Sequence, residues 1–299
     1  MRTRTPWQTW SPDQETLAKR TTGAGALDDE EGARAAVTKR LATRKEEFGM
    51  RALLIEHDHV SPPGLIGHRL RQHRFEIVEH LVVPESRFDN PNVTTPFPDV
   101  HDFDLIVPMG APWPAYDTER VGSWVTPELD LLREADQAGI PVLGICFGGQ
   151  LLALAHGGSV EPASRPELGW TTIETDNPRL IPSGPWFQWH FDRWNVPPDA
   201  IEIARDDVAS QAFVLRKNLA VQFHPELNAG TLDGWLRNGG DEQLRHHDID
   251  PDEVMARTIA EEHAATIRTG ALVDEFLAMT IPWARTHHPS HPIDDPAED

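Results

Sequence analysis

Apolar runs too short to be helices alternate with amphipathic stretches along the first half of the chain. Arg51-Ala-Leu-Leu-Ile-Glu56 reads as a buried strand and is broken by Ser61-Pro62-Pro63-Gly64. Residues 65–73 have helical spacing, 76–83 and 105–109 read as extended, 128–138 as helical, 141–145 as extended and 147–156 as helical. Strand and helix in turn predict an α/β fold: a mostly parallel central sheet flanked by helices on both faces.

The pattern changes after residue 158. Short extended pieces at 171–174, 200–204, 212–215 and 219–223 are separated by Pro and Gly, and predict antiparallel strands joining one edge of the sheet. Asp250-Pro251-Asp252-Glu253 then offers a capping side chain, a Pro at the first helical position and acids in the first turn. A helix over about 251–279 follows, with Gly270 as a break point. Residues 1–49 mix Thr, Ala, Gly and charge with little apolar periodicity, apart from a helical stretch near 31–48, and read as a flexible N-terminal extension. Residues 285–299, rich in His, Pro and Asp, read as a disordered tail. One domain is expected over 50–284.

Charge narrows the partners. Lys and Arg total 27 against 48 Asp and Glu, a net charge of −21, so the long-range field repels phosphate backbones and anionic lipid. No nucleic acid and no membrane are expected as partners. With no signal-peptide pattern and no apolar run long enough to span a bilayer, a cytoplasmic location is expected.

The chain has one cysteine, Cys146, so an internal disulfide and a Cys-rich metal site are excluded. Cys146 lies in Gly144-Ile-Cys-Phe-Gly148-Gly-Gln150, where an apolar strand passes through a sharp turn into a helix. This is a cysteine version of the strand–turn–helix nucleophile elbow. A helix N-terminus beside the sulfur favours thiolate, so an exposed and reactive Cys146 is expected. Taken alone, the same residue reads equally well as a buried packing cysteine.

A second strand breaks that tie. Leu219-Ala-Val-Gln222-Phe-His224-Pro225-Glu226 ends in an imidazole and a carboxylate two residues apart. His224 is the candidate base, and Glu226 can fix its tautomer by accepting from the other ring nitrogen.

Here the chain resembles the triad-type, or class I, glutamine amidotransferases, and within them the free-standing glutaminase domains similar to that of GMP synthase. The resemblance is carried by Val142-Leu-Gly-Ile-Cys-Phe-Gly-Gly-Gln150, by Val221-Gln-Phe-His-Pro-Glu226 and by Val107-Pro-Met-Gly-Ala-Pro112 followed by Tyr116-Asp117. Pro166-Glu-Leu-Gly-Trp170 and Trp189-His-Phe-Asp192 add to it. The resemblance implies a flavodoxin-like class I amidotransferase fold and a catalytic triad of Cys146, His224 and Glu226. It implies an oxyanion hole from the N–H groups of Ala111 and Phe147, and substrate binding by Gly110, Gln150, His190 and Asp192. Cys146 would attack a glutamine-type side-chain amide to give a γ-glutamyl thioester, with His224 serving as base, then acid, then base again. No metal and no other cofactor is called for. Two positions depart from the family pattern: Ala111 replaces a usual glycine, with strain if its φ is positive, and the bulky Phe191 replaces a small residue.

Other signals read as packing or solvated chain. His57-Asp58-His59 lacks a distant ligand motif for a metal, His287, His288 and His291 lie in the tail, and Trp186, Trp189 and Trp194 read as core or lid packing rather than as an aromatic wall for an acceptor. No Gly-x-x-x-x-Gly-Lys-Ser/Thr phosphate loop is present, so transfer of ammonia to an acceptor would need a separate synthetase subunit. The expected function is therefore that of a glutaminase, or of the hydrolytic component of an amidotransferase, with glutamine or a γ-glutamyl compound as substrate. A γ-glutamyl peptidase using the same triad and a non-catalytic binding or regulatory protein on the same fold are the alternatives.

Overall fold

The computed structural model describes residues 49–281. The extension expected over 1–49, apart from Gly49, and the tail expected over 285–299, with its three histidines, lie outside the described residues.

Five strands run parallel, with β2 at one edge: β1 (Met50–Glu56), β2 (Phe75–Leu81), β3 (Leu105–Pro108), β4 (Leu143–Ile145) and β10 (Asn218–Val221). β2 and β3 pair with β1, and β4 pairs with β10. A parallel bridge between Ile106 and Val142 joins the two groups. Antiparallel β9 (Ser210–Leu215), β8 (Ile201–Arg205) and β6 (Glu174–Thr175) extend the sheet beyond β10. The mostly parallel centre and the antiparallel edge both follow the expected arrangement. β1, β3, β4 and β10 are buried almost throughout, as a sheet covered on both faces requires.

The helices are α1 (Gly64–Gln72), α2 (Thr118–Gln137), α3 (Phe147–Ala155), α4 (Ala229–Trp235), α5 (Asp241–His246) and α6 (Pro251–Thr280). Trp124 and Leu132 of α2 and Leu151 and Leu152 of α3 pack with Leu53, Ile106 and Val142 of the sheet in the main core. A second cluster places Trp170, Phe187, Leu232, Leu244 and Val254 together.

Three expectations need correcting. α2 begins at Thr118 instead of near 128, capped by Asp117, whose side chain accepts from Arg120 N; Pro127 inside the helix obscures its pattern. α6 runs unbroken through Gly270, because burial of that face outweighs the roughly 1 kcal/mol a mid-helix glycine costs. β5 (Ser159–Thr172) and β7 (Pro185–Asn195) form a long two-stranded ribbon, with β7 in no expected element and β5 only partly foreseen at 171–172. Among the described residues, no helix is long and apolar enough to cross a membrane.

Candidate active site

The end of β4 and the start of α3 force Cys146 into an unusual backbone conformation, φ 50° and ψ −105°. A residue with a Cβ holds a positive φ only where its surroundings over-determine it, and such strain marks functional turns. The surroundings are specific: Cys146 N donates to Val221 O at 2.7 Å, and Gly148 N donates to Met109 O at 3.0 Å. Gly148 must be glycine, since a Cβ there would lie 2.0 Å from Pro108 O. The elbow is thereby bolted to the ends of both neighbouring strands, β3 and β10.

That bolt sets where the second motif falls. The chain leaves β10 at Val221 and reaches His224 three residues later, with His224 N donating to Phe187 O at 2.8 Å. His224 Nδ1 donates to Glu226 Oε1 at 2.7 Å, and both side chains are buried. Burial alone would lower the His224 pKa, but Glu226 and the neighbouring Cys146 sulfur outweigh it and hold the imidazole well above its ordinary value. Nε2 makes no hydrogen bond among the described residues and lies on the side of the Cys146 sulfur.

Distant segments clamp the 224–226 turn. Leu65 N of α1 donates to Glu226 O at 2.9 Å, and Thr269 Oγ1 of α6 donates to Pro225 O at 2.7 Å. Gly64, at φ 44°, passes so close that a Cβ would sit 2.0 Å from Glu226 O. Arg69 of α1 and His73, which caps its C-terminal end, both bond Asp274 of α6, tying the two clamping helices together.

Cys146, His224, Ala111, Phe147, Gly110, Gln150, His190 and Asp192 all line one cavity of about 470 Å³, while Glu226 sits behind His224. Cys146 is only 4% exposed, so the expected open thiol is corrected: the elbow closes round it and its sulfur faces the cavity instead of the surface. Ala111 is not among the positive-φ residues, so the strain considered for it does not arise. Phe147 N is at the first position of α3, where a helix provides no internal acceptor. His190 turns both ring nitrogens to the protein, Nδ1 to Asp192 O at 3.0 Å and Nε2 towards Glu167 at 3.2 Å. Burial raises the Asp192 pKa, partly offset by the Tyr116 hydroxyl donating to it at 2.9 Å.

The tryptophans divide. Trp186, stacked on Phe223, and Trp194, against Phe213, are core packing, whereas Trp189 and Phe191 line the cavity with Trp235. Trp235 meets the His224 ring edge-on at 4.9 Å and carries no motif that would mark it in the sequence. Gln222 is a further site residue that the sequence reading misses, with its Nε2 3.5 Å from Cys146 Sγ. The available signal is its place in the Val221–Glu226 motif, two residues before His224. His57, set aside as a metal ligand, has Nδ1 on Gly110 O and Nε2 on Glu128.

The family model described as glutamine amidotransferase class-I matches residues 73–240. A glutamine-hydrolysing GMP synthase subunit from Sulfolobus acidocaldarius is 31% identical over 166 residues, covering 50% of this chain and 83% of the relative. The GMP synthase of Thermomicrobium roseum is 37% identical over 131 residues, but the match spans only 23% of that longer protein and 41% of this chain. A glutamine amidotransferase crystal structure from Thermotoga maritima superimposes with a TM-score of 0.66 at 26% identity, covering 76% of this chain and 98% of that one. The chain belongs to the class-I glutamine amidotransferase family.

Proposed function

We propose that the protein hydrolyses the side-chain amide of glutamine with Cys146 as nucleophile, His224 as acid and base, and Glu226 orienting the imidazole. The observation that carries this reading is the convergence of a strained Cys146 elbow and a buried His224–Glu226 pair at 2.7 Å on one cavity.

His224 takes the Cys146 thiol proton as general base, and the Glu226 carboxylate, which raises the imidazole pKa, stabilises the imidazolium so formed. The sulfur attacks the amide carbon, and the former carbonyl oxygen takes the negative charge against the N–H groups of Ala111 and Phe147. Each such donor is worth about 3 kcal/mol to the transition state. His224 gives its Nε2 proton to the departing nitrogen, the C–N bond breaks, and ammonia leaves a γ-glutamyl thioester. The now neutral His224 takes a proton from water, and the hydroxide opens the thioester. Glutamate departs as the C–S bond breaks, and His224 returns its proton to the expelled sulfur. Gln222 Nε2 sits 3.5 Å from Cys146 Sγ, where it can donate to the sulfur. Gln150, Gly110 and Asp192 bind the amino-acid end, with the Asp192 side-chain oxygens accepting from the substrate ammonium. His190, with Nδ1 held by Asp192 O and Nε2 3.2 Å from Glu167, shapes the wall.

The Sulfolobus relative is named as one subunit of a glutamine-hydrolysing synthase, which supports delivery of the ammonia to a synthetase on a separate chain. A second reading, hydrolysis of γ-glutamyl conjugates, is favoured by the aromatic wall of Trp189, Phe191 and Trp235. Measuring glutamate release from glutamine and from γ-glutamyl dipeptides, in wild type and Cys146→Ala, tests both. Release from glutamine that disappears in Cys146→Ala supports the amidotransferase, and release confined to the dipeptides supports the peptidase. Release that survives the substitution refutes the Cys146 chemistry.

A further inference from the structure

Behind the loop that carries Gly110 and Ala111 lies a buried pair that the chemistry above does not use. His57, at the end of β1, and Glu128, in α2, both have 0% of their side chains exposed. His57 Nδ1 is 3.1 Å from Gly110 O, and Nε2 is 3.0 and 3.1 Å from the two Glu128 oxygens. The tautomer follows from donors and acceptors alone: a carbonyl oxygen only accepts, so Nδ1 carries a hydrogen. A single further proton is shared between Nε2 and the carboxylate. Burial works against a charge on His57, but Glu128 outweighs it and raises the imidazole pKa. Two aromatic rings pack against the imidazole, Trp124 stacked at 5.4 Å and Phe147 edge-on at 4.9 Å.

The geometry of one peptide unit gives this pair a consequence. Gly110 C=O and Ala111 N–H belong to the same planar trans unit and so point in opposite directions. Gly110 and Ala111 line the cavity and His57 does not. A hydrogen bond that pulls the carbonyl back towards His57 must turn the N–H forward.

We propose that His57, braced by Glu128, is a positioning residue that holds the Gly110 carbonyl and thereby aims the Ala111 N–H at the oxyanion site. The proposal rests on the reading that Ala111 and Phe147 supply the oxyanion donors beside Cys146. Glycine at 110 leaves the peptide free to rotate, since it has no Cβ to lock it. A Cβ there would stand 3.2 Å from the His224 ring, so a larger residue would crowd the imidazole. The stiffness comes from behind.

The test compares His57→Asn with His57→Leu. The Asn side-chain nitrogen falls where Nδ1 was and keeps the donor, Leu of similar size does not, and both leave Glu128 equally without its partner. Two rates are read: glutamine hydrolysis, and alkylation of Cys146 by iodoacetamide, a displacement of iodide that forms no oxyanion. His57→Leu is expected to lose about 10²-fold in kcat, the lower end of the loss of a whole oxyanion donor, with KM within about threefold. Alkylation is expected to stay within about threefold of wild type, and His57→Asn to recover about tenfold or more of the lost kcat. Equal kcat in the two variants, or a loss that appears equally in alkylation, overturns the positioning role. If His57→Leu does not fold, Glu128→Gln, which keeps a hydrogen-bond partner on Nε2, takes its place beside Glu128→Leu. The former should hold kcat within about threefold and the latter should lose about tenfold; equal values again overturn the role. Turnover that survives Cys146→Ala would instead sink the functional reading, which separates the two failures.

Discussion

The two halves of the site are built differently. The nucleophile half is local: strand, turn and helix lie within residues 142–155, and the strain at Cys146 is held by bonds to the adjacent strand ends. The acid–base half is assembled from far along the chain, because the 224–226 turn has no regular structure of its own and depends on Gly64 and Leu65 before it and Thr269 after it. A local device survives small shifts of its neighbours. A clamp made of α1 and α6 transmits any shift between those helices to the imidazole.

The largest effects should separate the halves by chemistry. Cys146→Ala is expected to remove turnover, a loss of about 10⁴-fold or more, without changing the melting temperature appreciably. Glu226→Ala should cost about 10²–10⁴-fold in kcat, because it withdraws orientation and charge from His224 but leaves the sulfur in place. Steady-state ammonia release from both variants checks the order, and a Glu226→Ala enzyme as dead as Cys146→Ala would break the contrast.

A smaller effect should appear when the clamp alone is disturbed. Gly64→Ala places a Cβ against Glu226 O at a positive φ, and is expected to destabilise the protein by about 3 kcal/mol and to lower kcat while leaving the elbow intact. Urea unfolding together with glutaminase kinetics reads both parts. Asp274→Asn probes the same clamp from further away. The Asp274 carboxyl loses solvation, which raises its pKa, but His73 and Arg69 outweigh this and bring it below the usual carboxylate value. A depressed carboxylate pKa contributes stability above the unfolded value near 3.9, and this is lost as pH falls through the folded value. The variant should therefore be about 1–3 kcal/mol less stable at pH 7, with the difference vanishing in strong acid. Thermal melts from pH 2 to 7 measure it.

The mildest change concerns substrate capture. Tyr116→Phe removes the hydroxyl that donates to Asp192 and should raise KM by about threefold with kcat unchanged, consistent with one exposed hydrogen bond. Since that bond lowers the Asp192 pKa against burial, its loss should move the acid limb of kcat/KM to higher pH. A pH profile that does not move would remove Asp192 from ammonium binding.

The same contrast explains what is legible in the sequence. The parallel strands, the elbow and the His224–Glu226 pair are readable because each is a short continuous pattern: an apolar run, glycines round a turn, or two polar residues ending a strand. α6 announces its start through Asp250-Pro251, whose cap the structure bears out with Asp250 accepting from Asp252 N. The β5–β7 ribbon is largely unreadable, since its strands mix exposed and buried positions without clean alternation. The supports of the site are hidden for a different reason. Thr269 reaches Pro225 across 44 positions, and Gly64 meets Glu226 from the opposite end of the domain. Periodicity within one segment carries no information about such contacts. His57 draws notice only as a metal ligand, because its partner Glu128 lies 71 residues away.

The most direct measurement is covalent trapping of Cys146 with a diazo-ketone analogue of glutamine, read by intact mass, in the presence of rising glutamine. The account predicts one adduct per chain, located on Cys146, formed at a rate that glutamine suppresses and that Glu226→Ala slows. An unmodified protein, or an adduct whose rate is indifferent to glutamine, would contradict it.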